Sequence, residues 1–365
     1  MKTFIINLIN KYRSLISNFL FISLGRKKIR GKYIFKDHLG FLLSFSLNSF
    51  TTFHLRPKYN KDFKSKNINF DYSQIAILIQ GPLIHEVKFT LETINLYIKL
   101  FPNINIVVST WENENFAYIE KISYKKLYII KSKLPEDRGE LNINLQIKSV
   151  NEGLKFINSI NNIKYVLKTR TDTRIYNPKS IIYLLNLIEN FPIKSDQFLK
   201  KRMLFSSIAT CKYRVYGATD ITQFGLLEDI NNYWSVPFYN LGLKNLVDKD
   251  NVPIIKGTPI IAEIYLFSHF LHRNNIKLKW TLDHWWSLLG DYFLIFDSQL
   301  IDFYWNKYEK NSEMRFLSTY SEDFPRALNF NDWLKIYFNN YEEFLNTNHQ
   351  EIWEYRNKKF NQLKV

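Results

Sequence analysis

Lys168, Arg170 and Asp172 close the segment Tyr165-Val166-Leu167-Lys168-Thr169-Arg170-Thr171-Asp172, in which a short apolar run passes directly into two cations and a carboxylate. In extended backbone successive side chains alternate between faces, so these three share one. Burying such a trio in a core is costly without partners. The carboxyl end of a parallel strand, by contrast, is where open α/β sheets bind ligands. Two cations and one acid suit a diphosphate that carries a sugar or a ribose, with or without a metal ion. The competing account is an ordinary strand-end ion pair, since structural pairs also gather at such ends.

A second polar group follows the apolar run Ile75-Ala76-Ile77-Leu78-Ile79, which ends in Gln80-Gly81-Pro82. At a first strand-to-helix turn, Gln80 and the backbone N–H of Gly81 would lie near a nucleotide; simple turn chemistry explains the same residues. Carboxylates in a polar α/β cleft suit a hard cation such as Mg²⁺ or Mn²⁺. Such an ion would neutralise a nucleotide diphosphate leaving group, with Lys168 or Arg170 sharing that work. The chain has no P-loop, HExxH, GxSxG or GxGxxG pattern, which argues against kinase, zinc protease, α/β-hydrolase and dinucleotide readings. His269 and His272 stand three apart, but with no third ligand nearby they make a poor zinc site.

The elements that must position these residues follow from periodicity. The continuous apolar run 75–79 reads as a strand buried on both faces. A helix is expected over Phe89 to Leu100, then a strand over Ile104 to Val108 that ends in Ser109-Thr110-Trp111-Glu112, and a third strand over Leu127 to Ile130. Ile143, Ile147, Val150, Leu154 and Ile157 form one stripe of a long helix ahead of the strand Tyr165 to Lys168. Alternating strands and helices indicate βαβ units and a parallel sheet, so the loops at Gln80, Thr110 and Arg170 meet at one edge. Beyond these units, Met203 to Ala209 is expected to be a strand, and Asp220 to cap a helix reaching Trp234. Thr258-Pro259 suits the start of a helix running through Glu263 to about Leu271. Tyr292 to Phe296 is apolar, and Asn331 to Leu363 is mostly helical, with Trp333, Ile336, Tyr337, Tyr341 and Phe344 on one side. The predicted architecture is α/β: a Rossmann-like, mostly parallel sheet flanked by helices over residues 71–300, with helical extensions at 1–70 and 301–365.

Of the 365 residues, 46% are hydrophobic and 17% aromatic, which marks a globular chain. The single Cys211 excludes a disulfide framework and a cysteine metal cluster, and fits a reducing cytoplasm. Residues 1–70 hold fourteen Lys or Arg against two acids, so most of the formal charge of +16 sits there. A nearly neutral body argues against nucleic acid as a partner. Phe4, Ile5, Leu8, Ile9, Tyr12, Leu15, Ile16, Phe19 and Leu20 recur at helical spacing, followed by Arg26-Lys27-Lys28-Ile29-Arg30-Gly31-Lys32. Residues 1–32 therefore suit an anionic membrane surface, or a helix packed on the main domain beside a solvated basic loop. No uninterrupted apolar stretch of about 18 residues exists, so no spanning helix is expected. The location expected is the cytoplasm, with peripheral attachment to the inner face of the membrane.

Four segments, Ile79-Gln80-Gly81-Pro82, Val108-Ser109-Thr110-Trp111-Glu112, Asn142-Ile143-Asn144-Leu145-Gln146-Ile147 and Leu167-Lys168-Thr169-Arg170-Thr171-Asp172, resemble the WavE-type lipopolysaccharide synthesis family in order and spacing. The resemblance spans roughly residues 72 to 300. It implies a bacterial GT-A-like glycosyltransferase that moves a sugar from a nucleotide-sugar to a glycan or lipid-linked acceptor in lipopolysaccharide or capsular polysaccharide assembly. On that reading Asp172 binds a metal or the donor sugar, and Lys168 and Arg170 bind the diphosphate. Gln80, Gly81 and Pro82 hold the nucleotide, Thr110 and Trp111 line the donor site, and Asn144 and Gln146 support the cleft. Asp220 and Glu263 are the candidates for the general base that an inverting reaction needs. The chain departs from the usual Asp-x-Asp metal motif, because Thr171-Asp172-Thr173 offers one acid. The cations at 168 and 170 could take over part of the metal's role. A non-catalytic nucleotide-sugar or glycan-binding component of an assembly complex is the alternative, kept open by that single acid and by eight Trp and 23 Tyr residues.

Overall fold

In the computed structural model the described residues are 71–194, 198–212, 214–240, 262–309 and 328–345. By its internal contacts the chain divides into two units, 1–53 with 308–325 and 54–307 with 326–365. The sheet and the helices that flank it belong to the second unit. The basic segment 1–70, the Thr258-Pro259 start and the tail beyond 345 lie outside the described residues.

The first strand, β1 (Ile75–Gln80), is buried at every position, as its unbroken apolar run requires. It pairs in parallel with β2 (Asn105–Trp111) on one side and β4 (Tyr165–Arg170) on the other, and β2 pairs in parallel with β3 (Leu127–Ser132). Helix α1 (Phe89–Leu100) connects β1 to β2, and helix α2 (Ile143–Ile157) precedes β4. The predicted stripe Ile143, Ile147, Val150, Leu154 and Ile157 is the buried face of α2. Gly153 sits where that helix crosses the sheet; a methyl group there would run into Leu78.

After β4 the chain forms the short β5 (Thr173–Ile175), helix α3 (Ser180–Asn190), β6 (Met203–Ser206), β7 (Gln223–Leu226) and helix α4 (Leu227–Trp234). Helices α5 (Ala262–Arg273) and α6 (Leu282–Tyr292), strands β8 (Phe293–Phe296) and β9 (Phe303–Trp305), and helix α7 (Phe330–Tyr337) complete the described part. The main sheet has seven strands in the order β3-β2-β1-β4-β7-β6-β8. Strand β7 runs antiparallel to β4 and β6, and the other pairings are parallel. This is the expected α/β architecture, a mostly parallel sheet flanked by helices. Strands β5 and β9 form a separate antiparallel pair.

Asp220 does not cap a helix. It precedes β7, and the helix that reaches Trp234 begins only at Leu227. Gln223, Phe224 and Gly225 are held between β4 and β6, a tertiary pairing that four residues of local pattern cannot announce. Strand β6 likewise stops at Ser206 rather than Ala209, whose backbone is left-handed.

The far side of the sheet is organised by Arg202, which is fully buried. It donates to the carbonyls of Phe191, Pro192, Gly290 and Phe293 at 2.7–3.1 Å. Trp333 of α7 lies over its guanidinium and donates its own N–H to Leu289 and Phe293. One side chain thus satisfies carbonyls at the end of α6 and after α3 that would otherwise be buried unpaired. Of the predicted tail stripe, Trp333, Ile336 and Phe344 are buried. No helix among the described residues is long and apolar enough to cross a membrane.

Candidate active site

Register places the polar residues of the carboxyl edge on one face. Gln80 stands opposite both Ser109 and Arg170, and Lys168 stands opposite Leu78 and Gln223. Paired residues share a face, so Ser109, Gln80, Arg170, Lys168 and Gln223 form a polar belt beneath α2 and α4. The Ser149 hydroxyl of α2 donates to Gln80 Oε1 at 2.8 Å, and the Ser109 hydroxyl donates to the Ser149 carbonyl at 2.6 Å. Gln80 therefore ties the helix to the strand tip and is only 4% exposed.

Gly81 continues the ladder, its N–H donating to the Ser109 carbonyl, while Thr171 N–H donates to the Gln80 carbonyl. Its φ of +121° suits glycine, and a Cβ there would lie 2.9 Å from the Thr171 hydroxyl oxygen. Gly81→Ala is expected to cost about 1–3 kcal/mol, combining backbone strain and overpacking. Urea unfolding checks this, and an unchanged midpoint would refute the close-approach account. Pro82 is exposed beside it.

Beyond β4 the chain makes a tight turn whose shape is set by two threonines. The Thr173 hydroxyl bonds the Thr169 hydroxyl at 2.8 Å, donates to the Arg170 carbonyl at 2.9 Å and accepts from the Arg170 N–H at 3.2 Å. The turn brings Arg170 and Asp172 together in a fork: Nε to Oδ1 and Nη2 to Oδ2, both 2.8 Å. Trp305, paired with Thr173 across β5 and β9, donates its indole N–H to Asp172 Oδ2 at 3.1 Å. Burial pushes the Asp172 carboxyl upward. The charge and hydrogen bonds of Arg170, the Trp305 N–H and the charge of Lys307 outweigh that and hold it below the usual aspartate range.

Lys168 is fully buried. Its ammonium donates to the Asp220 carbonyl and lies 4.8 Å from the ring centre of Trp234 in α4. The expected role as a diphosphate ligand thus gives way to a structural one, since the group is engaged inside the fold, anchoring the Asp220 loop. Burial lowers its pKa to about 7, with Arg170 adding to the effect and Asp220 and Asp172 opposing it.

Glu263, in the first turn of α5, completes the cluster. Burial and the nearby charge of Asp220 raise its pKa to about 7, against the pull of Arg214 and Arg170. Tyr233 of α4 feels both carboxylates. The fold therefore gathers Lys168, Arg170, Asp172, Asp220 and Glu263 into one electrostatic unit. Asn144 acts elsewhere, its side chain bonding both the N–H and the carbonyl of Tyr239 at 2.7 Å each and so clamping that loop to α2. Thr110 and Trp111 are buried at the tip of β2. Among the described residues, ten buried side-chain atoms lack a hydrogen-bond partner, the Thr110 hydroxyl and the Gln146 side-chain oxygen among them.

Sequence reasoning missed Trp305, Arg214, Tyr233, Trp234 and Ser149. None belongs to a motif, and Trp305 reaches the site only through the pairing of β9 with β5.

The donor set does not fit a hard divalent cation. Such an ion takes about six oxygen ligands, whereas both oxygens of Asp172 are engaged by Arg170 and Trp305. Among the described residues, no three His, Cys, Asp or Glu side chains gather as a metal site requires.

A mixed seven-stranded sheet with a charged cluster at the carboxyl end of its parallel strands defines an α/β protein with a site at its sheet edge. The chain belongs to the WavE lipopolysaccharide synthesis family, whose model matches residues 75–364. That match runs on through the C-terminal segment, beyond the reach of the four motifs. Two solved structures align with part of the chain. One is 4-diphosphocytidyl-2C-methyl-D-erythritol synthase from Anaerococcus prevotii DSM 20548, with 11% identity over 62% of this chain and 88% of that one, and a TM-score of 0.35. The other is a glycosyltransferase involved in glycosylation of the major capsid of PBCV-1, with 12% identity over 61% and 81%, and a TM-score of 0.31. At these values neither bears on function. No curated protein matches the chain.

Proposed function

We propose that this protein transfers a sugar from a nucleotide-sugar to a glycan or lipid-linked acceptor in the assembly of a bacterial surface polysaccharide. The observation that carries the proposal is the cluster at the end of β4, where Arg170 is forked to Asp172 and Glu263 feels the charges of both Arg170 and Asp220, in a chain of a lipopolysaccharide synthesis family. Arg170 faces the diphosphate. Gln80, Gly81 and Pro82 shape the turn against which the nucleotide lies, and Thr110, Trp111 and Gln146 border the donor. Glu263 takes the proton from the acceptor hydroxyl, and Asp220 tunes it.

Thermal unfolding against a panel of nucleotide-sugars tests this reading. The true donor, at 100 times its dissociation constant, adds about 2.7 kcal/mol of stability, and incubation with acceptor lipid then releases the nucleotide. Stabilisation with no turnover over a full acceptor set would favour a non-catalytic sugar-nucleotide binder instead, a reading that the single acid in Thr171-Asp172-Thr173 keeps open. A panel in which no donor stabilises the protein sinks both.

A further inference from the structure

The fork between Arg170 and Asp172 has the geometry of an oriented guanidinium. Nε and one terminal nitrogen are committed to the carboxylate, which fixes the plane of the group. The Thr169–Thr173 turn fixes the backbone on which both stand, and the hydroxyl of Thr90 in α1 donates to the Thr171 carbonyl at 3.2 Å. Trp305 anchors the carboxylate from the far side, and Asn306 N–H donates to the Asp172 carbonyl at 2.9 Å. Of the two partners, Arg170 is the more open: its side chain is 22% exposed, against 9% for Asp172. An anion approaching the end of β4 therefore meets the guanidinium before the carboxylate.

The surrounding charges are of both signs. Lys168, Arg170, Arg214 and Lys307 face Asp172, Asp220 and Glu263, and each of these cations acts on at least one of the acids or on its neighbour. Near pH 7 both Lys168 and Glu263 titrate, so the pull on an anion rests on Arg170, the more open partner of its ion pair.

We infer that Asp172 is the orienting partner of Arg170 and not a cation ligand, and that Arg170, held by Asp172 and Trp305, is a phosphoryl clamp that works without a divalent metal. The identity of the anion as a diphosphate rests on the transferase reading above. Trp305 is a positioning residue here: it acts on the ligand through Asp172 and Arg170.

Titration calorimetry on the full-length protein with inorganic pyrophosphate separates this inference from that reading. The expected result is equal affinity in EDTA and in excess Mn²⁺. Arg170→Lys, which keeps the charge but loses the fork, should weaken binding about tenfold or more. Trp305→Phe, which removes only the indole N–H, should weaken it by a factor of a few. Pyrophosphate should also shift the NMR signal of the Trp305 indole N–H in the wild-type protein, which a merely structural tryptophan would not show. Binding that appears only with Mn²⁺ overturns the inference. So does saturable binding of Mn²⁺ alone that Asp172→Asn abolishes, or no pyrophosphate binding in either condition. Failure of the transferase reading shows separately, as a nucleotide-sugar panel without a hit while pyrophosphate still binds.

Discussion

Glu263→Gln is expected to lower the turnover of sugar transfer by roughly 10²–10⁴-fold, the contribution of one well-placed general acid–base group. Glutamine keeps the size and one oxygen of the side chain but cannot accept the proton. The effect should therefore fall on kcat, with KM for the donor little changed. The reason to single out Glu263 over Asp220 is its environment: burial, followed by the charge of Asp220, lifts its pKa to about 7, where a base is both available at neutral pH and strong enough to act. Wild-type activity should rise with pH through about 7 as the carboxyl loses its proton. Asp220→Asn removes one of the two causes of the raised value, so that limb should move to lower pH. The opposing pull of Arg214 and Arg170 stays in place. Rates of donor turnover between pH 5 and 9 decide the matter. A Glu263→Gln protein with wild-type kcat would remove the residue from the chemistry.

The second large effect concerns stability. Lys168 is buried without exposure, and its pKa falls from 10.5 to about 7. Below pH 7 the group is protonated in the folded and unfolded chains alike and contributes no pH dependence. Between about 7 and 10.5 the folded protein has released a proton that the unfolded chain still holds, so stability rises with pH across that window and levels off above it. The Lys168→Met protein lacks this gain. Its stability relative to wild type should fall progressively as pH rises from 7 to 10, by an amount on the order of a few kcal/mol. Urea unfolding of the two proteins at several pH values measures the difference. Parallel stability curves would mean that Lys168 titrates near its ordinary value and has access to water.

How much of this was legible in the sequence differs between the two halves of the sheet. In residues 75–170 every element is local: an apolar run long enough to be a strand, then a stripe long enough to be a helix. Strands β1 to β4 and helices α1 and α2 were accordingly readable to within a few residues. From β5 onward the strands are three or four residues long and owe their existence to partners far away. Gln223-Phe224-Gly225-Leu226 has no period of its own, and Phe303-Tyr304-Trp305 looks like any aromatic stretch. Helix α3 was missed because Ser180 to Asn190 is apolar almost all round, which blurs its stripe. The site followed the same division. The trio 168, 170 and 172 was visible because alternation is local, but its alternation holds only to Arg170. The turn at Thr171 then swings Asp172 onto the guanidinium rather than outward. Both accounts of the trio contain truth: it is an ion pair, and it lies at the edge where ligands bind.

The pairing of β9 with β5 also fixes when the site can exist. Arg170 and Asp172 stand two positions apart, so their fork is a local contact. The indole that holds the carboxylate is 133 positions further on, and its strand must cross to β5 to deliver it. The indole contact is long-range where the fork is short-range, and contacts at such separations close slowly. An oriented clamp therefore requires the second half of the chain to be in place, because Trp305 reaches Asp172 only through β9.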